Sequence, residues 1–285
     1  MSVVPDSTKL SKMSLPGTHD SMSYPSNDNS PRNPIWSLHQ QLLTGIRFID
    51  INIKQEENDP TNFKLYSGYN GRNLDVTLHD LLGELKTFLT AFKSETVVLN
   101  WKEYKPGGIH NFNDLDNLFK EFSDSLIYAG KHSNAIYSTP SLGEVRGKVV
   151  LINYKKSSST GSKAFNHGFD TRGGTKTDEN NNNAAQITTE DEICLVGKYL
   201  SPLIINVKRA GAIMTRDQYY MTWLNFRYLT TPLQQRCRNV VNSKFQKLLL
   251  KEFRTRHLYG TGIVIMDVAS PELIGVVVSF NLQGI

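Results

Sequence analysis

The sequence predicts an α/β protein in which a parallel sheet is wrapped by helices, and three observations carry that prediction. Short β-branched runs alternate with helix-period runs, the pattern of repeated βα units. The strand runs are continuously apolar rather than alternating, as strands are when both faces are covered. There are eight such runs, which suits a closed (βα)8 barrel better than an open sheet. A chain of 285 residues, 39% hydrophobic and 21% charged, has the size to bury such a core without disulfide staples.

In order, the expected strands cover 12–15, 47–53, 63–66, 96–101, 148–153, 192–196, 203–207 and 262–267. The clearest helix follows the third strand. Thr77 and Asp80 resemble a capping box, with Asp where Glu or Gln is usual, and Leu78, Leu81, Leu82, Leu85 and Leu89 then hold one face at 3.6-residue spacing. A second helix carries Phe112, Leu115, Leu118, Phe119, Phe122 and Leu126. A third, near 239–256, buries Val241, Phe245, Leu248 and Leu249 and turns Lys and Arg to solvent. Between 157 and 190 the chain becomes rich in Ser, Gly, Thr, Asn and charge. That composition offers little apolar area against ordering entropy, so a mobile surface insertion is expected there, within a single domain spanning 1–285. The aromatic residues Tyr219, Tyr220, Trp223, Phe226 and Tyr228 read as core packing in a barrel loop or helix, with a membrane-interface belt as the alternative.

Thirty-two Lys and Arg against 27 Asp and Glu leave a charge of +5, spread along the chain, which does not call for nucleic acid. Two cysteines, Cys194 and Cys237, make no disulfide framework, and no Cys/His cluster has zinc spacing. No signal-peptide pattern opens the chain and no apolar run approaches the roughly 20 residues of a membrane span, so a cytoplasmic protein is expected.

The chemistry gathers at strand ends, where the loops of a parallel barrel build the active site. Ser14-Leu15-Pro16-Gly17-Thr18-His19-Asp20-Ser21 follows the first strand and supplies a histidine suited to base catalysis near neutral pH. Asp50 and Asn52 close the second strand, Lys102 and Glu103 the fourth, and Asp267 the last. In a closed barrel the last strand lies beside the first, so Asp267 can orient His19 and stabilise its imidazolium. Lys102 would face an anionic transition state. A rim site for an anionic substrate follows; the reaction itself does not.

The stretch 14–21, with Gly45-Ile-Arg-Phe-Ile-Asp-Ile51, resembles the X domain of phosphatidylinositol-specific phospholipases C, the bacterial single-domain branch most closely. Val76-Thr-Leu-His-Asp80, Ser94-Glu-Thr96 leading into Lys102, Val145-Arg-Gly-Lys-Val149 and Ile265-Met-Asp267 extend the likeness in the family's order. The resemblance implies a distorted TIM-type (βα)8 barrel. It implies attack of an inositol 2-hydroxyl on a lipid phosphodiester, giving a cyclic phosphate and diacylglycerol. His19 would be the base, oriented by Asp267, and Asp20 would assist an acid histidine. Asp50 would lie beside the phosphate, and Lys102 and Tyr199 would contact the inositol ring. The implied partners are phosphatidylinositol or another anionic headgroup at a membrane surface.

Three positions depart from that pattern. The family's acid histidine stands in a Tyr-His-Gly or His-His-Gly motif after the third strand, and this chain reads Tyr66-Ser67-Gly68. An arginine expected two residues after Asp50 is Asn52, and the family's Asp-x-Tyr motif reads Gly197-Lys198-Tyr199. Calcium is not expected, because Lys102 stands where a further acidic ligand would be needed. The expectation is weak or lost activity, or a binding barrel without turnover.

Overall fold

The computed structural model describes residues 1–24, 36–68, 71–128, 139–152, 221–224, 231–255 and 260–283. The described residues include eight strands: β1 (Leu15–Thr18), β2 (Phe48–Gln55), β3 (Phe63–Tyr66), β4 (Asn73–Thr77), β5 (Val97–Glu103), β6 (Val149–Ile152), β7 (Met221–Leu224) and β8 (Ile263–Met266). Six of them run parallel in the order β6-β5-β2-β1-β8-β7, so the first and last expected strands are neighbours. The helices are α1 (Leu38–Thr44), α2 (Leu78–Ala91), α3 (Phe112–Glu121), α4 (Leu142–Val145), α5 (Thr231–Thr255) and α6 (Pro271–Ser279). No helix among the described residues is long and apolar enough to cross a membrane.

The parallel strands bury both faces, and alternation sorts their side chains into two cores. Ile49, Ile51 and Ile53 of β2 pack outward with Leu99, Val264 and Met266 against the α2 leucines, Phe119, Phe245, Leu273 and Val277. Phe48, Val98, Val150, Ile263 and Ile265 point the other way, onto Leu10, Met13, Leu15, Leu142 and Val145. That second core is an apolar plug, and the same inward rows turn polar above it. Leu15 leads through Gly17 to His19, Phe48 to Asp50 and Asn52, Val98 to Asn100 and Lys102, and Ile265 to Asp267.

Local chemistry fixes the helix ends. In α2 the Thr77 hydroxyl accepts from the Asp80 N–H at 3.1 Å while Asp80 Oδ2 accepts the Thr77 N–H at 3.1 Å, so Asp completes the capping box. The Thr77 hydroxyl also donates to Asp80 Oδ2 at 2.6 Å, and that bond, with the one from the Thr77 N–H, holds the Asp80 carboxyl below its usual range. Ser37 and Gln40 form the same box for α1, and Gly45 ends that helix at φ +111°, a left-handed conformation that favours glycine.

Several expectations are corrected. The first strand is Leu15–Thr18 rather than 12–15, and Leu10–Lys12 is a 3-10 turn. Pro16 and Gly17 read as breakers, yet the Pro16 carbonyl accepts the Arg47 N–H at 2.8 Å, and paired registers with β2 begin only at Gly17. The third strand has the expected bounds but runs antiparallel, forming a hairpin with β4, which was not expected. Only residues 56–62 join β2 to β3, too few for a parallel crossover. Residues 221–224, expected in a loop or helix, form β7, in which Met221 and Leu224 are buried. The expected strands at 192–196 and 203–207, the insertion at 157–190, and Tyr219, Tyr220, Phe226 and Tyr228 lie outside the described residues.

Candidate active site

His19 follows β1 and is 7% exposed. Its Nδ1 lies 3.0 Å from Oδ1 of Asp267, the residue that follows β8, and its Nε2 lies 3.7 Å from Asp50 Oδ2. The register explains the first contact: Thr18 pairs with Met266, so the next residue of each strand meets the other at the rim. A carboxylate on Nδ1 favours the tautomer with its proton there, an arrangement in which Nε2 can accept a proton.

Asp50 is fully buried and fully engaged. Its Oδ1 accepts from Asn100 Nδ2 at 2.6 Å, and its Oδ2 accepts from Lys102 Nζ at 2.9 Å and from the Asp20 N–H at 3.4 Å. Its own N–H donates to Ser21 Oγ at 2.9 Å. Parallel pairing places Asp50 opposite Asn100 and Asn52 opposite Lys102, so one polar layer spans both strands. Lys102 Nζ and His19 Nε2 thus lie on the same carboxylate oxygen, Asp50 Oδ2, at 2.9 and 3.7 Å.

Asp20 forms a second centre. Its backbone is left-handed (φ +51°), a conformation that Asp tolerates better than most residues. Oδ1 accepts from Asn52 Nδ2 at 3.2 Å; Oδ2 accepts from the Ser67 hydroxyl at 2.9 Å and the Gly68 N–H at 3.0 Å. Burial pushes the Asp20 carboxyl up from its usual range, and nearby Asp50 adds to the rise. The charge of His19 and the bonds from Gly68 and Ser67 offset part of it. Ser67 is 4% exposed and sits where the β3–β4 hairpin folds over the rim. A Cβ on Gly68 would fall 2.8 Å from Asn52 Nδ2, so a side chain there would have to displace the Asn52 amide.

The structure therefore brings together His19, Asp20, Asp50, Asn52, Ser67, Lys102 and Asp267. Tyr199 and Gly197 lie outside the described residues. Sequence reasoning missed Asn100, although it stands two residues before Lys102 on the same inward row. It also missed Gln41, fully buried on the apolar face of α1. The Gln41 amide donates to the Ser21 and Trp36 carbonyls at 2.9 Å each, and its oxygen takes the Thr18 hydroxyl at 2.6 Å. The legible signal was a polar residue at the i+3 position between Leu38 and Leu42.

Comparison with known proteins agrees with this architecture. Residues 13–156, just over half of the chain, match the family described as phosphatidylinositol-specific phospholipase C, X domain. A 1-phosphatidylinositol phosphodiesterase of Listeria monocytogenes is 30% identical over 161 residues, 53% of this chain and 47% of that protein. One from Staphylococcus aureus strain Newman is 28% identical over 169 residues, 54% of this chain and 49% of that protein. The chain thus spans about half the length of the curated relatives it matches. In fold the likeness runs further. The Listeria monocytogenes phospholipase C structure superposes with a TM-score of 0.72 at 23% identity, covering 98% of this chain and 97% of the other. A variant of the Staphylococcus aureus enzyme gives 0.70 at 19% identity, covering 96% and 94%. At such identities these superpositions speak for the fold, a TIM-type barrel, while the matched sequence carries the kinship. The chain belongs to the phosphatidylinositol-specific phospholipase C X-domain family.

Proposed function

We propose that this chain is a phospholipase C-type phosphodiesterase that keeps the half of the site that begins the reaction and lacks the half that completes it. In the first half, His19 Nε2 takes the proton of the inositol 2-hydroxyl as its oxygen bonds to phosphorus. Asp267 holds the other imidazole nitrogen and stabilises the cation that forms. Lys102, held 2.9 Å from Asp50, supplies the positive charge for the phosphorane oxygens, so this reading invokes no metal. In the second half, the bond from phosphorus to the glycerol oxygen breaks and that oxygen needs a proton.

The observation that carries the reading is at Ser67. By its motif Ser67 stands where the resemblance puts the family's acid histidine, and its hydroxyl donates to Asp20 Oδ2 at 2.9 Å. A serine hydroxyl does not release a proton at any useful pH, and losing a positioned acid costs about 10²–10⁴-fold. Slow or absent cleavage of phosphatidylinositol follows. A second reading, a barrel that binds an anionic headgroup without turnover, draws support from Asn52. Its amide donates to Asp20 at 3.2 Å and carries no charge for a phosphate.

The test is mass-spectrometric detection of cyclic inositol phosphate released from phosphatidylinositol vesicles by the protein and by His19→Ala. A slow release abolished by the substitution is expected. Identical traces from the two proteins would overturn the enzymatic reading, and saturable vesicle binding in that case would favour the second.

A further inference from the structure

One polar side chain interrupts the outer core. Gln41 shares the buried face of α1 with Leu38 and Leu42, fully enclosed, beside a layer that holds Ile46, Ile49, Leu273 and Val277. An apolar side chain of similar volume would fill that place without the cost of burying an amide. Gln41 offsets the cost by using both amide hydrogens and its oxygen.

Where those bonds go is informative. The amide donates to the carbonyls of Ser21 and Trp36, and the oxygen accepts the Thr18 hydroxyl. Thr18 and Ser21 bracket His19 and Asp20, so two of the three bonds clamp the ends of the turn that carries both. Asp20 stands in that turn at φ +51°. Such a backbone persists where its surroundings over-determine it, and the clamp supplies part of that restraint. The contact also continues inward. Ser21 Oγ donates to the Thr18 carbonyl at 2.9 Å and accepts the Asp50 N–H at 2.9 Å, while the Ser21 N–H donates to the Asp50 carbonyl at 2.8 Å. Gln41 thus reaches Asp50, and with it Lys102, through one intervening residue.

We infer that Gln41 is a positioning residue for the proton transfer: through Thr18 and Ser21 it sets the His19 imidazole against Asp267 and Asp50. It acts from the helix layer behind the sheet. The inference rests on the reading of His19 as the base, and it adds that the geometry of that base is held from outside the site.

The test is Gln41→Met in the full chain, which keeps the volume of the side chain and removes its three bonds. Nitrogen NMR of the neutral His19 imidazole reports which ring nitrogen holds the proton. Turnover of an inositol phosphate with a nitrophenyl leaving group, which departs without an acid, reports the first half of the reaction. The unaltered protein is expected to hold the proton on Nδ1, and the variant to populate both tautomers. Its kcat should fall about 10–100-fold with KM changed less than about threefold, as when a base is misplaced and substrate contacts are kept. Thr18→Val should reproduce the loss, and Thr18→Ser, which keeps the hydroxyl, should retain most of the rate. Combining Gln41→Met with Thr18→Val should cost little more than either alone, because the two side chains form one link. Thr18→Val also carries the test where Gln41→Met does not fold. Leu85→Ala, which opens a cavity in the outer core on α2, should lower the melting temperature while leaving tautomer and kcat unchanged. A Gln41→Met protein that keeps the single tautomer and the rate overturns the inference. So does a Leu85→Ala protein that loses both to the same degree, since the effect then follows stability alone. Failure of the unaltered protein to turn over the aryl substrate overturns the reading of His19 as the base, while the tautomer still decides whether Gln41 places the ring.

Discussion

Asp20 concentrates the site's cost. It is buried, left-handed and bonded by three donors, and burial still raises its carboxyl above the ordinary range. A carboxyl raised on folding binds more protons in the native than in the unfolded state between the two pKa values. Stability therefore falls as pH rises through that window, and the penalty is fully present above it. Asp20→Asn should remove the penalty without disturbing the backbone, since Asn also tolerates left-handed φ. Its carbonyl can keep the Ser67 and Gly68 donors while Asn52 turns its own carbonyl inward. The substituted protein is expected to melt at a higher temperature at neutral pH, with the gain shrinking as pH falls into the usual carboxylate range. Thermal melts across pH check this, and an equal or lower melting temperature at every pH contradicts it. At this scale the sequence was informative where residues sit in a contiguous motif, as with Tyr66-Ser67-Gly68. The roles of Asn100 and Gln41 depend on which neighbour the fold brings opposite them, so their positions could be noticed in the sequence but not their contacts.

The elements place these residues through close approaches that few side chains permit. At Gly17 a Cβ would lie 2.7 Å from Phe48 Cβ and 3.0 Å from the Phe48 carbonyl. β1 and β2 can only pair at this height because that position is bare, and His19 stands two residues above it on the same row. Gly17→Ala is expected to destabilise the protein by about 1–3 kcal/mol, as overpacking does. Because Phe48 backbone is among the obstacles, the strain should also move His19 relative to Asp50. Chemical denaturation measures the first effect, and a Gly17→Ala protein as stable as the parent contradicts it. The β3–β4 hairpin shows the limits of reading elements from sequence. The bounds of β3 followed from its apolar run, but its direction depended on the connection before it, and 56–62 is short enough to have excluded a parallel strand. β4 lacks the apolar run that marks a buried strand, with no residue of its span buried, and so gave no signal.

For the molecule as a whole, one rule connects fold and site. Each inward row starts in the apolar plug and ends in a polar group: Phe48 to Asp50, Val98 to Lys102, Leu15 to His19, Ile265 to Asp267. This is why polar residues at the ends of apolar strands could be read as a site before their positions were known. The same rule cannot say which proton donor completes the reaction, and there the account rests on Ser67. A leaving group that departs as a stable anion needs no acid, whereas the diacylglycerol alkoxide does. The most direct measurement compares turnover of phosphatidylinositol with that of an inositol phosphate bearing a nitrophenyl leaving group, for the protein and for Ser67→His. The protein is expected to turn over the aryl substrate well ahead of the lipid. The histidine should then raise lipid turnover by about 10²–10⁴-fold while changing the aryl rate little. Lipid turnover already comparable to the aryl rate, and unmoved by the histidine, would contradict it.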